Sequence, residues 1–287
     1  MILFKRASPL HNFLEKKRSE QESIGFVPTM GALHEGHLSL IKRSKSENDI
    51  TVCSIYVNPT QFNDPADLDK YPRPIEKDIE LLISSDCNVL FLPSTEEIYP
   101  DGMNNLKDYD LHDLENFLEG ASRPGHFKGV ANVVDRFLKI IEPDRLYLGQ
   151  KDFQQVKVIE KLVGRMEYAV GRKKMQVVMC DIVREENGLA MSSRNVRLTS
   201  EQRKNAAGIS RELFFIRDHW REFDLESLKE HAISGINSIP EAQVDYFEFC
   251  DADSFHLVHD WDKAEHIVCV TAVRVGEVRL LDNVIVK

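Results

Sequence analysis

The stretch "IGFVPTMGALHEGHLSLIKRSKSENDITVCSIYVN", residues 24–58, decides the fold class. An apolar run at 24–29 is followed by a helical pattern at 36–47, then by a second apolar run, rich in β-branched residues, at 50–58. Short apolar runs are typical of buried strands, and their alternation with helices is typical of βαβ units. The stretch therefore predicts neighbouring parallel strands joined by a helix.

The same alternation continues to about residue 184. Further helices are predicted at 74–86, 126–141 and 152–165, and further strands at 88–93, 144–149 and 175–183. Repeated units of this kind form a mostly parallel sheet, with ligands bound beyond the carboxyl ends of the strands. Residues 1–184 are thus predicted to form a Rossmann-like α/β domain with helices on both faces of its sheet.

The pattern changes after about residue 190. Two helical stretches precede two apolar runs, and the polar, turn-rich segment "REENGLAMSSRN" comes before them. These helices are predicted at 199–221 and 224–238, and the strands at 244–249 and 265–275. Residues 185–287 therefore read as a smaller α+β domain.

Composition limits the class of protein. The chain has 287 residues, 47 acidic and 37 basic, and a formal net charge of −10, which argues against a protein that coats nucleic acid. No apolar segment is long enough to span a bilayer, so no membrane partner is expected. The five cysteines form no CxxC pair and lie mostly in apolar runs, as reduced buried thiols do in a cytoplasmic protein.

His34 and His37 lie where the first strand gives way to the first helix. The N–H groups of a helix start favour anions, and Gly36 allows a phosphate to approach the backbone closely. A zinc site of the HExxH type spaces its histidines four apart, whereas these are three apart around a glycine. The spacing favours a phosphate site over a metal site, and solvated surface histidines remain a third interpretation.

A second motif strengthens the phosphate interpretation. "HEGH" resembles the HIGH-type motif of nucleotidylyltransferases and related adenylate-forming synthetases, whose partner is a KMSKS-like loop. "LAMSSRN", residues 189–195, follows the last predicted strand of the sheet, as that loop does. Ser192, Ser193 and Arg194 supply hydroxyl and guanidinium donors suited to phosphate oxygens. Alternatively, the segment is the N-terminal cap region of the helix that follows, a role that suits Ser192.

Three further stretches make the resemblance specific: "YVNPTQFNDPADLDKYPR" (56–73), "RPGHFKGVANVV" (123–134) and "PDRLYLGQKDFQQ" (143–155). With "VPTMGALHEGHLSLI" and the closing "TAVRVGEVRLLDN", they resemble the pantothenate synthetase family in order along nearly the whole chain. The resemblance implies an ATP-dependent ligase that condenses (R)-pantoate with β-alanine. Pantoyl adenylate is its intermediate, and AMP and pyrophosphate are released.

The resemblance also implies a set of ATP-binding residues. His34, His37 and Lys151 would be the catalytic residues on the phosphates, with His37 as the family's proton donor. The full ATP set comprises Met30, Gly31, Ala32, Leu33, His34, Glu35, Gly36, His37, Gly149, Gln150, Lys151, Asp152, Val183, Met191, Ser192, Ser193 and Arg194. The family usually carries glutamate where this chain has Gln150, which weakens any role for that side chain.

For the other substrates, Gln61 and Gln155 match the pantoate-binding glutamines, and Gln61 would also border β-alanine. Asn58 would support that pocket, and Glu119 and Arg123 would lie near it or form an ordinary ion pair. Mg²⁺ is the expected cofactor with ATP, and Asp78 is the best match for a metal-side carboxylate. A homodimer is expected, with the smaller domain as a lid.

Three other functions compete. Another nucleotidylyltransferase would explain "HEGH" and "MSSR" but not Gln61 and Gln155. A nucleic-acid-binding synthetase fragment would carry a basic face, which the acidic composition disfavours. A module that only senses ATP would tolerate loss of His37 or Lys151, and both are present.

Overall fold

The computed structural model describes residues 1–166 and 174–287. Within them the strands are β1 Ile2–Phe4, β2 Ile24–Thr29, β3 Ile50–Ile55, β4 Val89–Phe91, β5 Arg145–Gly149, β6 Gln176–Cys180, β7 Ala242–Asp251, β8 Ile267–Val275 and β9 Val278–Ile285. The helices are α1 Ala7–Ser19, α2 Glu35–Glu47, α3 Pro65–Asp69, α4 Ile75–Ser84, α5 Thr95–Ile98, α6 Glu119–Ser122, α7 His126–Ile141, α8 Phe153–Gly164, α9 Ser200–Asn205, α10 Ala207–His219 and α11 Leu225–Asn237. The chain divides into two compact units, the first made of 1–149 and 158–180, the second of 150–157 and 181–287.

The first unit is built on a six-stranded sheet in the order β1-β4-β3-β2-β5-β6. Each neighbouring pair is parallel. This confirms the predicted Rossmann-like α/β class. The carboxyl ends of β2 and β5, which are adjacent, lead into the segments that carry the two predicted phosphate motifs.

Helices cover both faces of this sheet because successive side chains of a strand point to opposite sides. On one face, Phe26 and Phe91 contact Phe137 of α7, with ring centroids 5.6 and 6.0 Å apart. On the other, Val27 packs in a cluster with Leu40 and other apolar side chains of α2, β3, α4 and β4. The prediction of helices on both faces is confirmed.

Several element boundaries differ from the sequence prediction. The strand predicted at 50–58 ends at Ile55, because a 3₁₀ turn begins at Pro59. The helix predicted at 199–221 is two helices, α9 and α10. The N–H of Ile209 donates to the carbonyl of Ala206 at a three-residue spacing, which tightens the turn between them. The strand β1 and the helix α1 were not predicted, nor was β9.

The second unit contains an antiparallel sheet in the order β7-β8-β9. Helices α10 and α11 pack on it through a buried apolar core that includes Leu213, Ile236 and Phe249. Strands β8 and β9 form a hairpin whose last pair is Val275 and Val278, with Gly276 in the turn at φ +55°. The smaller α+β region is confirmed, while the boundary between 184 and 185 stays a prediction.

Candidate active site

The segment after β2 turns sharply before α2 begins. Gly31 has φ +81°, and Ala32, at φ +51°, is also in the left-handed region. The N–H groups of Ala32 and Leu33 donate to the two carboxylate oxygens of Asp78, at 2.8 and 2.7 Å. A side chain from α4 therefore fixes the main chain of the predicted phosphate loop.

The two histidines of this loop lie at the N-terminus of α2. His34 is the N-cap, and its Nδ1 accepts the N–H of Gly36 at 3.2 Å. The N–H of His34 in turn donates to Nδ1 of His37 over 3.4 Å, and the two rings are 4.1 Å apart. Because Nδ1 is the acceptor in both rings, the neutral tautomer carries its proton on Nε2. Each ring can thus donate an Nε2–H group near the positive end of a helix.

Asp78 is completely buried. Burial raises the pKa of its carboxyl group, and this outweighs the hydrogen bonds from Leu33 and Ala32, which lower it. A carboxylate whose two oxygens already accept main-chain N–H groups fits a loop anchor better than a metal ligand. Among the side chains that the structure describes, no three from His, Cys, Asp or Glu are grouped so as to hold a metal ion. The metal role of Asp78 stays a prediction.

Gln61, the predicted substrate glutamine, is oriented by Asn58. Nδ2 of Asn58 donates to Oε1 of Gln61 at 3.1 Å, and Nε2 of Gln61 contacts Sδ of Met30 at 3.1 Å. Oδ1 of Asn58 accepts from the hydroxyl groups of Tyr99, at 2.9 Å, and Thr60, at 3.1 Å. The two hydroxyl groups thus fix the orientation of the Asn58 amide, and in this orientation Nδ2 faces Gln61.

Glu119 and Arg123 lie in the same unit as Gln61. Their side chains are 3.8 Å apart, and Arg123 also contacts Nε2 of His126 at 3.1 Å. Nδ1 of His126 is 2.8 Å from the main-chain oxygen of Gln61. The pair is therefore more than an isolated surface contact, because His126 links Arg123 to Gln61.

In the second unit, Gln150–Asp152 form a 3₁₀ turn that leads into α8. Lys151 is half-buried, and its ammonium group is 3.1 Å from the carboxylate of Asp152. Gln155 is half-buried in the first turns of α8. Thus a lysine and a candidate substrate glutamine follow β5 within one short segment.

The predicted KMSKS-like loop also belongs to the second unit. The N–H of Met191 donates to the carbonyl of Val183 at 3.0 Å, and all four residues from Met191 to Arg194 are half-buried. Ser192 accepts the N–H of Arg194 at 3.2 Å and caps a short 3₁₀ helix. The helix that follows, α9, is instead capped by Thr199, which accepts the N–H of Gln202 at 3.2 Å. The ATP role of the loop stays a prediction.

Comparison with known proteins identifies the family. The sequence profile of the pantoate-beta-alanine ligase family matches residues 2–285. The chain belongs to the pantoate–β-alanine ligase family. A pantothenate synthetase of Porphyromonas gingivalis is 44% identical over 284 residues, which cover 99% of both chains. One from Azobacteroides pseudotrichonymphae is 45% identical over 285 residues, again 99% of each.

Solved structures of the ligase family share the fold. Pantothenate synthetase from Thermus thermophilus superposes with a TM-score of 0.89 at 36% identity, over 100% of this chain and 99% of the other. The Francisella tularensis ligase, complexed with beta-gamma ATP and beta-alanine, gives 0.76 at 38% identity, over 99% and 97%. The predicted resemblance, enzyme class and reaction, the ATP-dependent condensation of pantoate with β-alanine, are confirmed as those of the family.

Two features near the predicted site were missed from the sequence. Asn283 of β9 bonds to the Lys151 turn, and Asp282 beside it pairs with Arg184. The available signal was the "LLDN" end of the closing stretch, but it could be used only once β9 was known to be a strand. Separately, no helix within the described parts of the chain has the length and apolar character to cross a bilayer.

Proposed function

We propose that His34, His37 and Lys151 bind the phosphates of ATP during adenylation of pantoate. The observation that carries this proposal is the use of Nδ1 as acceptor in both histidines, which directs an Nε2–H donor from each neutral ring. Main-chain N–H groups at the start of α2 add positive potential there. A lysine ammonium group is a compact charge suited to phosphate oxygens.

In the first half-reaction, a carboxylate oxygen of pantoate attacks the α-phosphorus of ATP. The bond from that phosphorus to the oxygen bridging the β-phosphate breaks, and pyrophosphate leaves with the electron pair. Negative charge builds on the leaving group, where N–H donors and the Lys151 ammonium group stabilise it. In the second half-reaction, the neutral amine of β-alanine attacks the acyl carbon. The bond from that carbon to the phosphate oxygen breaks, AMP leaves with the electron pair, and the nitrogen releases a proton to water.

Gln61 and Gln155 are proposed to bind pantoate, and Gln61 also to border β-alanine. The hydrogen bond from Asn58 supports this role, because it determines which end of the Gln61 amide carries the N–H donors. The remaining ATP contacts are proposed for Met30 to Gly36, for Gly149 to Asp152 and for Val183 with Met191 to Arg194. The complex of the Francisella tularensis ligase with beta-gamma ATP and beta-alanine supports these substrates.

Four further expectations belong to the same proposal. Mg²⁺ would accompany ATP, bound mainly by phosphate oxygens and water and by few protein carboxylates, with Asp78 as the predicted one. The enzyme would be a cytoplasmic homodimer, as the family resemblance implies. Its smaller domain, residues 185–287, would act as a lid.

The proposal is tested with pantoate-dependent release of pyrophosphate from Mg²⁺-ATP, measured without β-alanine. Lys151→Ala and His37→Ala should each lower this rate by about 10²–10³-fold, the usual effect of removing a donor to developing charge. His37→Gln retains an N–H donor at the position of Nε2. If His37 only donates a hydrogen bond, the glutamine variant should recover much of the rate.

The controls are Lys161→Ala and His259→Gln, which change exposed side chains of the same types. Both should keep the wild-type rate. A fully active Lys151→Ala enzyme would show that the phosphate site has been misplaced. Pyrophosphate release that is independent of pantoate would overturn the assigned half-reaction.

A further inference from the structure

The turn that carries Lys151 is held by one buried amide. Asn283 of β9 is only 2% exposed. Its Nδ2 donates to the main-chain oxygens of Gln150, at 2.9 Å, and Lys151, at 3.0 Å. Its Oδ1 accepts Nε2 of Gln150 at 3.0 Å. A single side chain therefore fixes the carbonyl group before Lys151 and the carbonyl group of Lys151 itself.

Asn283 is itself fixed by an ion pair. Its main-chain N–H donates to Oδ1 of Asp282 at 2.7 Å. Both oxygens of Asp282 accept from Arg184, at 2.7 and 2.8 Å, and Arg184 also donates to the carbonyl of Gly188 at 3.1 Å. The end of β9 thus connects the Lys151 turn to the segment that leads into Met191–Arg194.

The chemistry of this contact admits few side chains. Nδ2 supplies two N–H groups for two carbonyls, while Oδ1 supplies the acceptor that Gln150 needs. An aspartate would keep the shape but would place carboxylate oxygens against two carbonyl oxygens. Such a change leaves buried polar groups without suitable partners, which is costly.

We propose that Asn283 is a positioning residue for Lys151, acting through the main chain of the turn, with Gln150 as its side-chain partner. The inference rests on the proposed role of Lys151 at the ATP phosphates. The lysine side chain is flexible, with four rotatable bonds, and does not hold its ammonium group in place by itself. A fixed main chain at Lys151 limits the positions that the ammonium group can reach. The side chain of Gln150 then has a structural role in this chain, in addition to the ATP contact proposed for its segment.

The test compares Asn283→Asp with a matched control, Thr271→Val. Thr271 is also buried in the same sheet and donates to a main-chain carbonyl, that of Tyr246 at 2.8 Å. Both variants should lower the melting temperature. Only Asn283→Asp should also lower kcat for pantoate-dependent pyrophosphate release, by between about 10- and 10²-fold, the range expected for a misplaced catalytic group.

A double-mutant cycle with Lys151→Ala separates positioning from general destabilisation. Asn283→Asp should cost little further activity once Lys151 is absent. If the activity loss of the double variant equals the product of the two single losses, the inference is wrong. It is also wrong if Asn283→Asp and Thr271→Val have equal activities. An unimpaired Lys151→Ala variant would instead overturn the proposed function and the inference with it.

Discussion

The two predicted phosphate segments follow adjacent parallel strands but are held in opposite ways. The loop after β2 is held by Asp78, whose carboxylate accepts two main-chain N–H groups. The turn after β5 is held by Asn283, whose amide donates to two main-chain carbonyls. The first anchor, Asp78, is a buried carboxylate. The second, Asn283, is neutral, and the charged group beside it is Asp282, which forms an ion pair with Arg184. The difference predicts which changes each segment will tolerate.

A third carboxylate shows what burial contributes to this contrast. Asp224 is exposed and caps α11, where it accepts the N–H of Ser227 at 2.8 Å. That hydrogen bond lowers the pKa of Asp224, whereas burial raises the pKa of Asp78 despite two bonds of the same kind. The main-chain hydrogen bonds lower the pKa of both carboxyl groups, but in Asp78 the loss of water outweighs them, so the net shifts are opposite.

The largest effect is expected when the Asp282 pair is broken by Arg184→Met. Asp282 is 5% exposed, and its pKa is raised by burial, although Arg184 counteracts the rise. Without Arg184 a buried carboxylate loses its partner, which should lower the free energy of unfolding by about 3–5 kcal/mol at pH 8. Because the pKa of Asp282 is higher in the folded than in the unfolded state, the folded variant gains stability as the pH falls and Asp282 binds a proton. It loses that stability as the pH rises and Asp282 becomes charged.

This prediction is checked by urea unfolding at pH 8 and pH 5, where the deficit should shrink at the lower pH. Arg217→Met is the control, because Arg217 also lies over the Phe214 ring but pairs with Asp218 at the surface. The control should change stability little. An Arg184→Met deficit that is the same at both pH values would contradict the assignment of the loss to Asp282.

The next largest effect is expected at the other anchor, with Asp78→Ala. The variant removes the acceptor of the Ala32 and Leu33 N–H groups, so the free energy of unfolding should fall by about 2–3 kcal/mol. Pantoate-dependent pyrophosphate release should fall as well, because the histidine loop loses its support. Asp78→Asn keeps one acceptor oxygen and should lose less of both. A variant of unchanged stability that needs more Mg²⁺ would instead favour the predicted metal role.

The smallest effect is expected from a paired comparison of two glycines. A methyl group on Gly31, at φ +81°, would lie 2.9 Å from Oδ2 of Asp78 and 3.0 Å from Cγ2 of Ile55. Gly31→Ala should therefore lower the free energy of unfolding by about 1–2 kcal/mol. A methyl group on Gly149 would meet nothing within 4 Å, so Gly149→Ala should change stability by less than about 0.5 kcal/mol. Equal losses in urea titrations would show that the two segments are equally constrained.

The elements with strong periodicity could be predicted from the sequence. β2, α2 and α7 lie where the apolar patterns placed them. β2 and α7 bury most of their apolar residues, and α2 buries Leu40 and Ile41. β1 has only three residues, too few for a pattern of its own, and it becomes a strand by pairing with β4. β9, with the sequence VRLLDNVI, alternates between apolar and polar residues only over its first three positions, and the Asp282-Asn283 pair within it resembles a loop sequence.

The candidate site was predicted in part. The spacing and position of His34 and His37 after a strand carry a chemical signal, whereas Lys151 was named through the family resemblance. Their binding roles stay predictions. The residues that hold these motifs in place were not assigned that role. Asp78 was expected to be near a metal, and Asn283 was not named, because both act through main-chain groups that a sequence pattern does not reveal.

The β8–β9 hairpin has a consequence for insertions and deletions in the chain. Its two-residue turn, Gly276-Glu277, determines that Asp282 pairs with Thr271 and Asn283 with Val270. One residue added to that turn would shift β9 by a single position and exchange the faces on which neighbouring side chains lie. A carboxylate would then occupy the place of the amide beside Gln150 and Lys151. The length of a surface turn thereby determines which functional group meets the main chain of Lys151, the lysine proposed to bind phosphate.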